Sequence, residues 1–468
     1  MNQENTSAPA ENKMGTMPIG KLLFNMSLPM MISMLVQALY NIVDSIFVAK
    51  LSENALTAVS LAFPLQTLLI AVGTGTGVGM NALLSKSLGE KNFKKANATA
   101  SNAAVLYFFS YLVFFILGFT IVRPFYASQI GNADQEIMKL GIEYLSTVMI
   151  FSFGLLAQVF FERLLTSTGR TIFSMTSQLT GAITNIILDP ILIFGLLGAP
   201  KMGVTGAAVA TVIGQCVAAL VAGFCNHRYN HDVKLKFHGF RLDFHIIGTI
   251  YAVGIPTIIM QSMSSVMCFG INKLLLDFST TSTAVFGAYF KLQTFVYMAV
   301  FGLNNALIPI VAFNIGAKHA ERIKKVIRLS GAYSALIGLV GLIIMEMLPI
   351  QLISAFAPSE EMFLLGVTAL RILGLSFVFG GISVMTCYAL QGFSRGIASL
   401  LISALRQVII LLPLASIMGK MMGINGIWWS FLVSETVTVA FAIIYLGIAE
   451  KKELSFLASM PLEQSIAE

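Results

Sequence analysis

Charged residues are scarce in this sequence. They make up 11% of its 468 residues, whereas 56% of the residues are hydrophobic, and the mean hydropathy is +0.83. Soluble domains carry about 25% charged residues, so the composition excludes an ordinary soluble globular protein. It predicts an all-α protein that crosses the lipid bilayer many times.

Cysteines and catalytic motifs are also rare. The four cysteines lie singly in apolar runs without CxxC spacing, and the histidines of the link 227–244 are irregularly spaced, so we expect no metal site. The glycine-rich run 73–79 is not followed by Gly-Lys-Ser/Thr and so is not a phosphate loop. No catalytic triad or paired catalytic acids are evident. We therefore expect neither an enzyme nor a cofactor.

The apolar runs are long enough to span a membrane. Runs of about 20 residues or more give twelve predicted spans, at residues 19–48, 54–82, 98–122, 137–161, 170–197, 204–226, 245–276, 281–313, 326–349, 362–390, 395–418 and 423–448.

The positive residues predict how these spans are oriented. The net charge of +7 comes from lysines and arginines in short links, mostly after even-numbered spans, rather than from a nucleic-acid-binding surface. Positive links stay inside, so we expect a plasma-membrane protein with both termini cytoplasmic. The predicted organisation is two six-helix bundles, at residues 19–226 and 245–449, joined by a cytoplasmic linker at 227–244. Cytoplasmic tails are expected at residues 1–18 and 450–468.

The chain contains an internal repeat. Pro29 matches Pro256, Gly89 matches Gly316 and Lys91 matches Lys318, each at a shift of 227 residues. The repeat unit holds six spans, an even number, so the two copies have the same orientation. Parallel repeats of this kind predict two bundles related by a pseudo-two-fold axis along the membrane normal, as in transporters. We expect both prolines to kink their helices.

Several strings resemble one transporter family. Residues 39–48 (LYNIVDSIFV), 185–194 (NIILDPILIF), 161–165 (FERLL) and 301–304 (FGLN) resemble the multidrug and toxic compound extrusion (MATE) family, in its Gram-positive multidrug-exporter branch. The resemblance covers residues 19–450. It implies a twelve-helix antiporter that exports amphipathic, mostly cationic organic compounds in exchange for inward protons.

Two acids deep in the first half are candidates for ion coupling. Counting about 1.5 Å per residue from Lys21 and Arg170 places Asp44 and Asp189 within about one helical turn of each other in height. An acid in hydrocarbon normally faces a cavity or a partner. By resemblance, the family's coupling-ion positions are Asp44, Asp189, Asn185 and Thr211. Weaker carry-overs and candidate drug-chamber residues are Gln37, Tyr40, Tyr144, Met30 and Met34.

The coupling ion remains open between two choices. Sodium-coupled members of the family carry an acid on span 7, where this sequence has only Gln261 and Ser264. Proton coupling through the first half is therefore favoured, although the same oxygens could bind sodium.

The second half contains charges that the resemblance does not explain. These residues are Lys291, Arg371, Arg406 and Glu435. All four lie roughly 14–18 Å along their spans, close to the midplane of the membrane. Their shared depth predicts one charge network in which Glu435 pairs with a cation. The functional alternative is a cation that faces the central cleft.

Two further functional alternatives are kept. The first is the export of a dedicated metabolite or a lipid-linked precursor by the same doubled architecture. The second is a membrane-embedded enzyme or scaffold. The partners that we expect are drug-like small molecules and the lipid bilayer, with the monomer as the functional unit.

Overall fold

The computed structural model describes residues 12–130, 135–235, 241–356 and 358–459. These residues contain ten unbroken helices long enough to span a membrane and two bent helix pairs, which makes twelve spans when each pair counts as one. The predicted all-α fold with twelve spans is confirmed. Spans 1 to 12 are Ile19–Ala49, Glu53–Gly89, Phe93–Thr120, Gln135–Ile150 with Phe153–Ser167, Thr171–Phe194, Val204–Tyr229, Phe244–Leu276, Thr280–Gly316, Ala320–Met347, Glu360–Gly374 with Phe377–Gly392, Gly396–Met422 and Ile424–Ser459.

Equivalent helices in the two halves begin in the same way. Span 2 starts after Ser52, whose hydroxyl accepts a hydrogen bond from the backbone N–H of Ala55, and span 8 starts after Ser279, whose hydroxyl accepts from the N–H of Ser282. A serine at this position satisfies one of the free N–H groups at the start of a helix. The two serines are separated by the same 227-residue shift as the two prolines.

Spans 4 and 10 are broken, which the sequence did not predict. Their two arms meet at angles of 44° and 48° respectively. The second arm begins after Ser152 in span 4 and after Ser376 in span 10, and the Ser376 hydroxyl donates to the carbonyl of Leu373 at 2.7 Å. The predicted runs 137–161 and 362–390 each correspond to one bent span.

Reciprocal glycine contacts relate the two halves. A Cβ atom added to Gly89 would lie 2.0 Å from the carbonyl oxygen of Phe313, and one added to Gly316 would lie 2.1 Å from that of Lys86. Phe313 and Lys86 are themselves equivalent residues of the repeat. A contact that is the same in both directions is what a two-fold axis between two copies generates. The predicted pseudo-two-fold relation between parallel halves is confirmed.

The two prolines flank a second reciprocal crossing of this kind. Gly302 in span 8 lies against the backbone of Met31, two residues after Pro29, and Gly75 in span 2 lies against Ile258, two residues after Pro256. Both prolines lie inside continuous helices. The kinks at these prolines stay a prediction. The Gly89–Gly316 crossing lies at the end of spans 2 and 8 that carries the basic links. We call this end, where the halves are in backbone contact, the closed end.

The amino-terminal segment also joins the two halves. Residues 1–18 were expected to be a tail, but Lys13–Thr16 is helical and Met14 is fully buried. The carbonyls of Met14 and Met17 accept hydrogen bonds from Nη2 of Arg322 in the second half, at 2.9 and 2.8 Å. Asn12 donates to the carbonyl of Thr168 in the first half at 3.3 Å. These contacts correct the tail prediction for residues 12–17.

Two other predicted boundaries differ from the helix ends. Span 12 continues to Ser459, so residues 450–459 are helical rather than a separate tail. Span 6 continues to Tyr229, which shortens the predicted linker. Within the predicted tails and linker, residues 1–11, 236–240 and 460–468 lie outside the described residues.

The glycine crossing supports a prediction about the closed end. We expect Gly316→Ala to force the closed end apart, because the new methyl group would meet a backbone carbonyl that cannot rotate away. Spin labels at the exposed positions of Lys94 and Lys325 should then move apart, as measured by pulsed electron paramagnetic resonance. The control is Gly287→Ala in the same helix, where a Cβ would meet nothing within 4 Å. Equal distances in both variants would contradict the prediction.

Candidate functional site

A central cavity of about 410 Å³ lies between the two halves. Its walls come from spans 1, 2, 4, 5 and 6 of the first half and from spans 7, 8, 10 and 11 of the second. This volume is within the range of about 300–1,000 Å³ that is usual for sites of drug-sized ligands.

Four of the predicted substrate residues line this cavity. Met30, Met34, Gln37 and Tyr40 lie on span 1 and belong to the cavity wall. Tyr144 does not line the wall: it is buried, and its hydroxyl accepts a hydrogen bond from Nε2 of Gln66 at 3.0 Å. The structure therefore supports a packing role for Tyr144 and not a substrate contact.

The predicted coupling residues lie together beside the cavity. Nδ2 of Asn185 is 3.3 Å from Oδ1 of Asp189 and 3.4 Å from the hydroxyl of Thr211. Asp44 interacts electrostatically with Asp189, and Tyr40 with both acids. Asn185 and Thr211 line the cavity, whereas the two carboxyl groups lie behind its wall. The structure thus brings all four residues into one polar cluster.

Local sequence explains how this cluster forms. Asn185 and Asp189 are four residues apart on one helix and therefore lie on the same face. Spans 5 and 6 approach closely at Gly181 and Gly214, where a Cβ on Gly214 would lie 2.8 Å from the carbonyl of Gly181. This approach brings Thr211, on span 6, within reach of Asn185.

Three oxygen atoms of the cluster are free to bind a cation or a proton. Oδ1 of Asp44, Oδ2 of Asp189 and Oδ1 of Asn185 are buried and have no hydrogen-bond partner among the residues that the structure describes. Carboxylate oxygens of this kind can accept a proton, and carboxylate and amide oxygens together can bind a hard cation.

Comparison with known proteins identifies the family. The MatE family model matches residues 29–191 and 256–417, that is, one match in each half. The chain belongs to the MatE family of membrane transporters. The two matches begin at Pro29 and Pro256, the equivalent prolines of the repeat.

The relatives of this MatE transporter are named for different cargo. Multidrug export protein MepA of Staphylococcus haemolyticus is 28% identical over 434 residues, which span 91% of this chain and 92% of that protein. The FAD transporter of Shewanella oneidensis is 27% identical over 88% of this chain and 90% of its own length. A structure described as the outward-facing conformation of a multidrug resistance MATE family transporter superposes with a TM-score of 0.89 at 23% identity, covering 96% of this chain and 99% of that one. This last similarity shows the fold.

Two charged cavity residues were missed as site residues. Glu162 and Arg163 line the cavity in span 4 of the MatE transporter. Oε1 of Glu162 accepts a hydrogen bond from Nε2 of Gln158 at 3.0 Å and lies 3.2 Å from the hydroxyl of Ser177. Nη1 of Arg163 donates to Oδ1 of Asn305, in the second half, at 3.0 Å. The signal in the sequence was an adjacent acid and base within an apolar run, which was used only as a mark of the family.

The charges of the second half do not form the predicted single network. Glu435 lies beside Arg406, with 3.6 Å between Oε1 and Nε, so the predicted pairing of Glu435 with a cation is present. Arg371 instead lies 3.8 Å from Glu346 of span 9, and Lys291 is exposed. The prediction of one network was wrong because residues at one depth can lie on different faces of their helices.

Proposed function

We propose that this MatE transporter exports amphipathic, mostly cationic organic compounds from the cytoplasm in exchange for inward protons. The observation that carries the proposal is the central cavity, which adjoins the buried acid cluster. The cavity wall includes four methionines and three aromatic residues, drawn from both halves: Met30, Met34, Met260, Met298, Tyr40, Phe301 and Tyr388. Flexible methionine side chains suit binding of varied apolar compounds, and the name of the MepA relative is consistent with this cargo.

Proton binding at Asp44 and Asp189 supplies the coupling. A buried carboxylate without a cationic partner is costly, and taking up a proton removes that cost. Asp44 is on span 1, which lines the cavity, and Asp189 is on span 5. A change of charge between the two spans therefore alters how span 1 packs. Alternating access follows if the protonated and charged clusters stabilise the two orientations of the cleft to different degrees.

Sodium is the alternative coupling ion. The free oxygens of Asp44, Asp189 and Asn185 are of the kind that hard cations bind. Protons remain favoured, because span 7 offers Gln261 and Ser264 to the cavity where sodium-coupled family members have an acid.

A dedicated metabolite is the second candidate cargo. The relative named FAD transporter matches nearly as much of the chain as MepA does, and FAD is an aromatic anion. The cavity wall includes Arg406, which an anionic group could contact.

We place the transporter in the plasma membrane as a functional monomer with cytoplasmic termini, in agreement with the positive links.

Vesicle transport under controlled gradients tests the proposal. Purified transporter in lipid vesicles should move a cationic dye against its gradient when a pH gradient is imposed with sodium absent. A sodium gradient at uniform pH should not drive this movement. Transport driven by sodium alone would overturn proton coupling. A wild type that moves FAD but no dye under either gradient would favour the metabolite exporter.

A further inference from the structure

The two walls of the central cavity differ in charge. Among the residues that the structure describes, the charged ones lining the cavity are Glu162, Arg163 and Arg406. Glu162 and Arg163 are neighbours in the first half, and Nη1 of Arg163 is engaged with Asn305. Arg406 is the charged residue that the second half contributes.

The repeat shows that Arg406 is a departure from symmetry. Spans 5 and 11 align at a shift of 225 residues, which matches Arg170 to Arg395 and Gly181 to Arg406. Gly181 and Arg406 both line the cavity. Equivalent positions on the two walls therefore carry no side chain in one half and a guanidinium group in the other.

The backbone around Arg406 differs between the halves as well. Residues Leu405–Ile409 form a π-helical turn within span 11, whereas span 5 is α-helical throughout Thr171–Phe194. Single π-turns inside α-helices occur often at functional sites. This turn places Arg406 and Gln407 together in the cavity wall.

The neighbours of Arg406 hold its guanidinium group in place. Glu435 lies beside Nε, and the group lies over the ring of Tyr297 at 5.7 Å from the ring centroid. Glu435 does not line the cavity, so the ion pair presents its cation to the cavity and its anion away from it. Nη1 of Arg406 is buried without a hydrogen-bond partner in the described part of the chain.

The surrounding side chains are neutral and prearranged. Nε2 of Gln407 donates to the hydroxyl of Ser403 at 2.8 Å, and Ser264 donates to Oε1 of Gln407 at 2.9 Å. The rings of Phe301 and Tyr388, which also line the cavity, are stacked with centroids 6.4 Å apart. An aromatic compound with an acidic group would meet both a ring surface and a fixed cation.

We propose that Arg406 binds the carboxylate of aromatic substrates, so that the transporter prefers zwitterions to the corresponding simple cations. The guanidinium group of Arg406, which Glu435 approaches at Nε, takes the carboxylate, and Glu162 in the wall of the first half offers an acid to the cationic end. Hydrogen bonds between charged partners are roughly twice as strong as those between neutral ones. This inference rests on the proposed export of amphipathic compounds.

Equilibrium binding of a matched pair of dyes tests the proposal. The probes are a rhodamine with a free carboxylate and its methyl ester, and their affinities for the purified transporter are measured by fluorescence anisotropy. We expect the acid to bind about tenfold more tightly than the ester, because the ester cannot make the charged hydrogen bonds. In the double variant Arg406→Gln/Glu435→Gln the preference should disappear, with ester affinity within about twofold of wild type.

The double variant removes both charges, so that neither is left buried and unpaired. Its matched control is Arg371→Gln/Glu346→Gln, an Arg–Glu pair of the same half that does not line the cavity. This control should keep the preference. If the double variant does not fold, Arg406→Lys should reduce the preference to about a third, since lysine lacks the planar fork.

The outcomes separate this inference from the proposed function. Two results would overturn the role of Arg406 and leave the proposed function standing. One is that wild type binds the ester as tightly as the acid; the other is that the double variant or Arg406→Lys keeps the full preference for the acid. If wild type bound neither dye, the proposed export of amphipathic compounds would fall together with this inference.

Discussion

Replacing Asp44 or Asp189 by asparagine should abolish proton-driven efflux. Each substitution keeps the shape of the side chain but removes a carboxyl group that could bind and release a proton. Oδ1 of Asp44 and Oδ2 of Asp189 have no hydrogen-bond partner in the described part of the chain, and Oδ1 of Asp189 is contacted only by the neutral amide of Asn185, so neither charge is needed to satisfy a described neighbouring cation. Dye export by vesicles under a pH gradient should fall to the level of vesicles without protein, while membrane insertion and thermal stability stay close to wild type.

The control for this experiment is Asp277→Asn, at the exposed end of span 7, which should transport normally. Efflux at wild-type rates in both Asp44→Asn and Asp189→Asn would rule out the cluster as the coupling site. Loss of transport in only one variant would restrict the coupling to that carboxyl group.

The second large effect is expected at Glu435. Glu435→Gln leaves the guanidinium of Arg406 without its anionic partner. Both side chains are largely buried, with 14% of Arg406 and 12% of Glu435 exposed. Removing one member of a buried ion pair costs about 3–5 kcal/mol. The melting temperature of the purified protein should therefore drop clearly, whereas the range of exported dyes that lack a carboxylate should not change, because Glu435 lies outside the cavity wall.

The matched comparison is Glu346→Gln, whose partner Arg371 is about half exposed, at 54%. Glu346 lies one residue before the end of span 9, where we expect the pair to meet water. Water-exposed pairs contribute about 0–1 kcal/mol, so this variant should melt near the wild-type temperature. Unaltered stability of Glu435→Gln together with a shifted range of dyes would contradict a structural role for Glu435.

Features that depend on one helix and its repeat could be predicted from the sequence. Apolar length defined the spans, and the shift from Pro29 to Pro256 defined the parallel halves. The approximate height of Asp44 and Asp189 followed from the helical rise alone.

Features that depend on helix rotation or on distant contacts could not be predicted. Depth along a span does not tell which face a residue occupies, so Arg371 was grouped with Glu435 although it faces Glu346. The contact of Arg163 with Asn305 joins residues that are 142 positions apart. The amino-terminal helix has few apolar residues, and it is held by the burial of Met14 and by hydrogen bonds from Arg322, which lies more than 300 positions away along the chain.

Simultaneous recording of dye and proton movement tests the central claim most directly. Lipid vesicles that contain the transporter are loaded with a pH indicator and acidified inside, and a cationic dye is added outside. Only those transporters whose cytoplasmic side faces the outside of the vesicle meet the dye on their cytoplasmic side. The account predicts that dye accumulates inside while the lumen becomes alkaline in proportion, and that both signals vanish in Asp44→Asn and Asp189→Asn. Dye accumulation without alkalinisation of the lumen would contradict exchange of substrate for protons.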